Sequence, residues 1–323
     1  MSNYKVGPKA TIMVTGAAGF IGSHLAIELA QQGYTVYAVD CFLNESYSSE
    51  VKRNRFYDLS KIPNIHTIEQ DLRERTLPAL PRDSDVIINE AGMPGLMKSW
   101  EDFSLYVSCN LQAVDNLMQF AIKSNVARFV QISTSSVYGR DATGDEGSET
   151  NPVSPYGVSK LAAEKLVFAY LKNFNVPAIV LRYFSVYGPG QRPDMAFYKF
   201  IEAGMRGDEI EVFGDGFQSR TNTFVSDCVS GTVKAMKDAR VGETYNISGN
   251  QKLALNSSLE IIEGILGTKL KIKHLPGRPG DQRETFGAIY KASDHFGYLP
   301  TVNPIEGLQK QIEWHLRERS KTP

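Results

Sequence analysis

Tyr156 and Lys160 stand one helical turn apart, just after Ser154-Pro155, a spacing that puts a phenol and an ammonium on one face of a helix. A cation beside a phenol lowers a pKa that is otherwise about 10, so the pair has the makings of a base that works near neutrality. The same spacing also occurs on solvated helix faces, and alone it does not choose between the two. A further hydroxyl, Thr134, stands in Ser133-Thr134-Ser135-Ser136-Val137-Tyr138-Gly139, where an apolar run ends. If that run is a strand of a parallel sheet, its hydroxyls lie at the carboxyl edge, where such sheets bind ligands; otherwise the segment is a serine-rich turn.

The second chemical signal is Val14-Thr15-Gly16-Ala17-Ala18-Gly19-Phe20-Ile21-Gly22-Ser23-His24-Leu25. Thr11 to Thr15 is β-branched and apolar, and Ile21 to Ala30 repeats apolar residues at helical spacing, so the glycines form a turn between a buried strand and a helix. Gly16 permits the tight turn, Gly19 the approach of main chain to phosphate, and Gly22 close packing of helix on strand, with the helix amides facing a pyrophosphate. The next apolar run ends in Asp40, where a dinucleotide site keeps an acid for the ribose hydroxyls. Asp40 opposes a 2'-phosphate, Cys41 and Phe42 offer no cation, and Arg53 and Arg55 lie further along. The expected cofactor is NAD.

These residues need a scaffold, and the chain supplies one. Apolar strands at Thr35 to Val39, Ile65 to Gln70, Asp85 to Asn89, Ala127 to Ser133 and Ala178 to Tyr183 alternate with helical patterns. The patterns include one long amphipathic helix from Leu105 to Ser124 and another from Tyr156 to Asn173. Alternation of this kind predicts an α/β fold, a Rossmann-type doubly wound parallel sheet covered by helices. Residues 1–187 form the expected NAD-binding domain. After Gly188 the pattern loosens, and 188–323 reads mainly as a smaller α/β substrate lobe, with 225–248 returning to the first domain.

The chain has 323 residues, is 42% hydrophobic and 22% charged, and carries a net charge of −1, which offers no electrostatic footprint for nucleic acid or an anionic membrane. Cys41, Cys109 and Cys228 lack metal or redox spacing, and the five histidines are scattered, so neither disulfides nor a metal are expected. Without an apolar leader or spanning segment, the expected location is the cytoplasm.

The glycine run and the Thr134 segment are joined, in order, by Pro155-Tyr156-Gly157-Val158-Ser159-Lys160, Leu181-Arg182-Tyr183-Phe184-Ser185-Val186-Tyr187-Gly188-Pro189 and Arg278-Pro279-Gly280-Asp281. With these motifs the chain resembles the extended short-chain dehydrogenase/reductase family over essentially its full length, in particular the NAD-dependent nucleotide-sugar epimerases and dehydratases. The resemblance implies that Thr134, Tyr156 and Lys160 are a catalytic triad, and that Gly16, Gly19, Phe20, Ile21, Gly22 and Asp40 hold NAD with Asp71 and Leu72 beside the adenine. It also implies a UDP-sugar in the second lobe, bordered by Ser135, Ser136, Ser185, Arg192 and Val212, with Arg220 and Arg278 at its diphosphate, and a homodimer. The plain alternative for the arginines is a set of surface ion pairs. In that family the tyrosine removes the sugar 4-hydroxyl proton while NAD takes the C4 hydride, giving a 4-keto sugar.

Overall the chain is most similar to bacterial UDP-glucuronate 4-epimerases, which share Thr134-Ser135-Ser136, Ser185 and the Gln191-Arg192-Pro193-Asp194-Met195 loop. Three departures stand out. Asn89-Glu90 replaces a histidine and a leucine, Met97 replaces an arginine, and Ser135-Ser136 stand where the familiar 4,6-dehydratases carry two carboxylates. A carboxylate gained and a cation lost oppose a uronate substrate. Glu90 is then either a fourth catalytic residue, a base at C5, or a carboxylate turned away and hydrogen-bonded in the sheet. Cys109 reads as a small buried thiol more readily than as a proton carrier. The departures favour the outcome of enzymes that convert UDP-N-acetylglucosamine into a 5,6-alkene for tunicamycin-type antibiotics. A UDP-sugar 4-epimerase is the alternative, and a non-catalytic NAD-binding sensor is the remote one.

Overall fold

The computed structural model of the chain describes residues 6–7, 9–277 and 282–321. Strands β1 (Thr11–Thr15), β2 (Thr35–Asp40), β3 (Ile65–Glu69), β4 (Val86–Asn89) and β5 (Arg128–Thr134) join Ala178–Tyr183 and Thr244–Ile247 in one seven-stranded sheet. Its order is Thr244–Ile247, Ala178–Tyr183, β5, β4, β1, β2, β3, with every neighbouring pair parallel. The chain therefore winds outward from β1 to β3 and returns to the other side of β1 as β4. Such a reversal opens a crevice at the carboxyl ends of the strands, as in a Rossmann-type fold. Every residue of β4 and β5 is buried, because helices cover both faces of the sheet; this is why these segments read as near-continuous apolar runs.

Helix α1 (Phe20–Gln31) follows the glycine turn, and α2 (Ser49–Ser60) fills the polar stretch after β2, capped by Ser48 accepting from the Glu50 amide at 3.2 Å. The expected single helix over Leu105 to Ser124 is not continuous. Phe103–Val107 leads into a π-helical turn, Ser108–Gln112, before Ala113–Ser124 resumes the α-helix. The wide turn brings Cys109 and Asn110 to the inside, a local distortion that apolar periodicity does not register.

Beyond Gly188 the chain forms smaller sheets. Lys252–Ala254, Ser219–Thr221, Glu284–Gly287 and Asp141–Gly144 make a four-stranded sheet, and Glu209–Phe213 pairs with Lys271–Leu275. Asp141–Gly144 lies within the first 187 residues yet pairs with Glu284–Gly287, so the two halves exchange strands in both directions: Thr244–Ile247 extends the large sheet in return. Among the described residues no helix is long and apolar enough to cross a membrane.

Phe129 in β5 is fully buried at the centre of the large sheet. Phe129→Ala is expected to lower unfolding free energy by about 3–5 kcal/mol, measured by urea denaturation.

Candidate active site

The glycine turn is built by contact. Gly16 sits at φ +67°, and a Cβ on Gly22 would come within 2.3 Å of the Gly16 carbonyl oxygen. Gly22 therefore serves the turn's own packing, whereas the sequence suggested helix-on-strand packing. Ser23 is the first amide to bond back, to the Gly19 carbonyl at 3.2 Å. The amides of Phe20, Ile21 and Gly22 are left without helical partners and face an anion site. Asp40 has a second task besides any ribose: its carboxylate accepts from Ala18 N at 3.0 Å and Phe42 N at 2.8 Å, pinning the turn to β2. Burial pushes its carboxyl up, against these bonds and the charge of Lys52.

A cavity of about 340 Å³ opens at this edge. It is lined by Gly16, Gly19, Phe20, Ile21, Gly22, Asp40, Asp71, Leu72, Glu90, Thr134, Tyr156, Lys160, Ser185 and Arg192, which brings all the expected cofactor and catalytic residues to one place. Asp71 is bound by Arg73 through contacts of 2.6–3.0 Å, and these hydrogen bonds hold its carboxyl below the ordinary range. Ser185, Val186 and Met195 are shared with a second cavity of about 270 Å³, which also holds Val212 and Arg220. Ser135 and Ser136 line neither cavity: Ser135 is buried in the turn after β5, and Ser136 stands behind Thr134, hydrogen-bonded to it at 3.3 Å. Met97 is 40% exposed and outside both cavities. Arg278 lies outside the described residues.

Tyr156 and Lys160 reach Thr134 because their helix, Pro155–Phe174, is capped by Ser154, whose hydroxyl accepts from Gly157 N at 3.1 Å. A Cβ on Gly157 would come within 2.7 Å of the Ser136 carbonyl oxygen, so only glycine lets the helix start press onto the Thr134 turn. Lys160 donates to the Ile132 carbonyl at 2.6 Å. Burial pushes its ammonium pKa down, opposed by Glu90 and Glu164. Burial pushes the Tyr156 phenol up, opposed by the Thr134 hydroxyl and Arg192.

Glu90 faces the cavity. Its neighbour Asn89 is consumed inside the sheet, accepting from Thr15 at 2.7 Å and donating to Gln131 at 2.9 Å, while Glu90 Oε2 is closed to solvent with no hydrogen-bond partner. At Oε2, therefore, the hydrogen-bonded alternative is not met. Burial raises its carboxyl well above the ordinary range, against the pull of Lys160. With its carboxyl raised, Glu90 carries less of the charge that opposed a uronate. The Cys109 thiol lines the same cavity and is likewise raised by burial.

Sequence reasoning missed the support behind these groups. Asn110, delivered by the π turn, bonds Met93 N at 2.7 Å, Met93 O at 3.0 Å and Ser159 at 3.0 Å. Glu164 pairs with Arg182 at 2.7 and 3.0 Å and accepts from Ser133. The one available signal was the position of Glu164, one helical turn past Lys160. Arg55, set aside from sequence as too distant, reaches Ala18 O at 3.3 Å and Gly190 O at 3.0 Å.

The sequence profile of the NAD dependent epimerase/dehydratase family matches residues 12–248. The chain belongs to this family. Its cofactor is NAD, and the free amides, glycine cradle and Asp40 carboxylate fit that group. The chain is 37% identical to the uncharacterized UDP-glucose epimerase YtcB of Bacillus subtilis, over 94% of this chain and 97% of that one. It is 32% identical to the UDP-glucuronate 4-epimerase of Thermodesulfobacterium geofontis, over 94% and 95%. It is also similar to the crystal structure of UDP-glucuronic acid 4-epimerase from Bacillus cereus with UDP-glucuronic acid and NAD. There the TM-score is 0.91 and the identity 37%, covering 95% of this chain and 99% of that one. Family members of this kind are enzymes acting on UDP-sugars. None of the three is named as a dehydratase, so the tunicamycin-type expectation finds no support in them.

A group whose folded pKa is raised loses stability as pH climbs from its ordinary value toward the raised one. For Glu90 this window runs from 4.5 to about 8. Glu90→Gln is therefore expected to match wild type near the bottom of that window and to unfold at a higher temperature than wild type near its top, read by thermal melts across pH.

Proposed function

We propose that this chain is an NAD-dependent UDP-sugar 4-epimerase, with UDP-glucuronate as its substrate. The observation that carries this reading is the meeting of Thr134, Tyr156 and Lys160 where the glycine-turn cavity joins the second cavity through Ser185, Val186 and Met195. A sugar bridging the two cavities would bring its C4 hydroxyl to the Tyr156 phenol. Residues 188–323, less 225–248, supply most of the nucleotide-sugar side, with Arg192 and the preceding Ser185 at the sugar and Val212 and Arg220 further along.

NAD would supply the acceptor, and afterwards the donor, of the C4 hydride. Gly16, Gly19, Phe20, Ile21 and Gly22 would hold its pyrophosphate, Asp40 its ribose, and Asp71 and Leu72 its adenine. Tyr156 takes the proton from the 4-hydroxyl, with Thr134 orienting that oxygen, and gives it back after the keto sugar has turned over. Lys160 stabilises the phenolate by its charge. The similarity to UDP-glucuronate 4-epimerases supports this substrate.

One observation favours a second reading. A carboxyl poised to exchange a proton, Glu90, stands on the same cavity as Tyr156, which suits removal of a C5 proton and departure of the C6 hydroxyl as water from a keto UDP-N-acetylglucosamine. Proton NMR of the enzyme with each sugar separates the two. Conversion of UDP-glucuronate to its C4 epimer is the expected result, and vinyl signals from UDP-N-acetylglucosamine without epimerisation would overturn it. Tyr156→Phe is expected to cut kcat by about 10²–10⁴-fold with UDP affinity retained, measured by coupled assay and calorimetry.

A further inference from the structure

Tyr47 lies between β2 and α2 in a polar stretch with no periodicity to mark it. Its side chain lines the cavity beside the glycine turn, with the Lys52 ammonium 4.7 Å from its ring centroid. The phenol oxygen is closed to solvent and has no hydrogen-bond partner. Among the described cavity-lining residues only Glu90 shares that condition. A buried hydroxyl left unpaired costs stability, so its retention calls for a partner the protein does not itself provide.

The surroundings indicate which partner. Arg55, Arg192, Asp40 and Asp194 all act electrostatically on the phenol, and burial pushes it up, leaving it a donor. Arg192 is committed to Asp194 at 2.8 Å, and Asp40 to two amides. Arg55 bonds only carbonyls, Ala18 O and Gly190 O, and has no carboxylate partner among the described residues. A phenol donor and an uncompensated guanidinium beside a phosphate-binding turn match a diphosphate oxygen. We propose that Tyr47 Oη donates a hydrogen bond to a diphosphate oxygen of a bound nucleotide, with Arg55 supplying the charge on the same wall. The inference rests on the reading above, in which NAD and a UDP-sugar both carry that group.

Tyr47→Phe keeps the ring and its contact with Lys52 and removes only the hydroxyl. Wild type and variant are titrated calorimetrically with NAD and with UDP, and both are melted without ligand. The ligand-free variant is expected to unfold at the same temperature or higher, and affinity for one ligand to fall about tenfold or more. Loss confined to NAD places the contact on the cofactor; loss confined to UDP places it on the sugar nucleotide. Undiminished affinity for both ligands overturns the contact alone. A lower melting temperature of the ligand-free variant also overturns it, since the hydroxyl would then have a partner within the protein. Wild type that binds neither ligand overturns the nucleotide reading and the contact with it.

Discussion

The buried ammonium of Lys160 is the constraint on which the site depends. Taking a charge out of water is costly unless it is bonded and paired. Lys160 meets that demand with the Ile132 carbonyl at 2.6 Å and with the charge of Glu164. To reach a carbonyl of β5, its helix must begin at Ser154 and press onto the turn that follows that strand, which Gly157 allows. The same approach sets Tyr156 beside Thr134. The phenol, the hydroxyl and the ammonium are thus brought together by one packing contact.

The cofactor turn and the chemical edge are likewise a single construction. Thr15, Asn89 and Gln131 are linked across β1, β4 and β5 by side-chain hydrogen bonds of 2.7 and 2.9 Å. Thr15 also accepts from the Ala91 amide at 3.2 Å, and Gly16 packs so closely on Ala91 that a Cβ would come within 2.8 Å of its nitrogen. Glu90 follows directly on this filled edge, at the wall of the cavity. Its carboxyl then responds to burial and to Lys160 together, so the state of one charge depends on the other.

Much of this was legible in the sequence. The glycine run, Asp40, and the strand ends at Thr134 and Asn89 are local signals, since apolar periodicity and turn chemistry act over a few residues, and they gave the parallel sheet and the placing of the dinucleotide turn. Leu105 to Ser124 was read as one helix because a π turn leaves the apolar spacing almost unchanged. The 3-10 turn at Ser135–Tyr138 likewise has no mark in the residue pattern. Tyr47 carried no signal and Arg55 stood too far along the chain to be assigned, because the approach of Arg55 to Gly190 and the glycine turn is a tertiary contact.

The sequence by itself determined the elements, the dinucleotide turn and the identity of the groups able to move a proton, because these follow from residue type and short spacing. Only the tertiary structure decided which groups face one another and in what state. Glu90 illustrates the difference: as a residue it is an ionised acid that repels a uronate, and in the fold it is a buried carboxyl held above its ordinary range. The physical reason is that burial and pairing depend on residues far apart in the chain, and a pKa answers to them more strongly than to its neighbours in sequence.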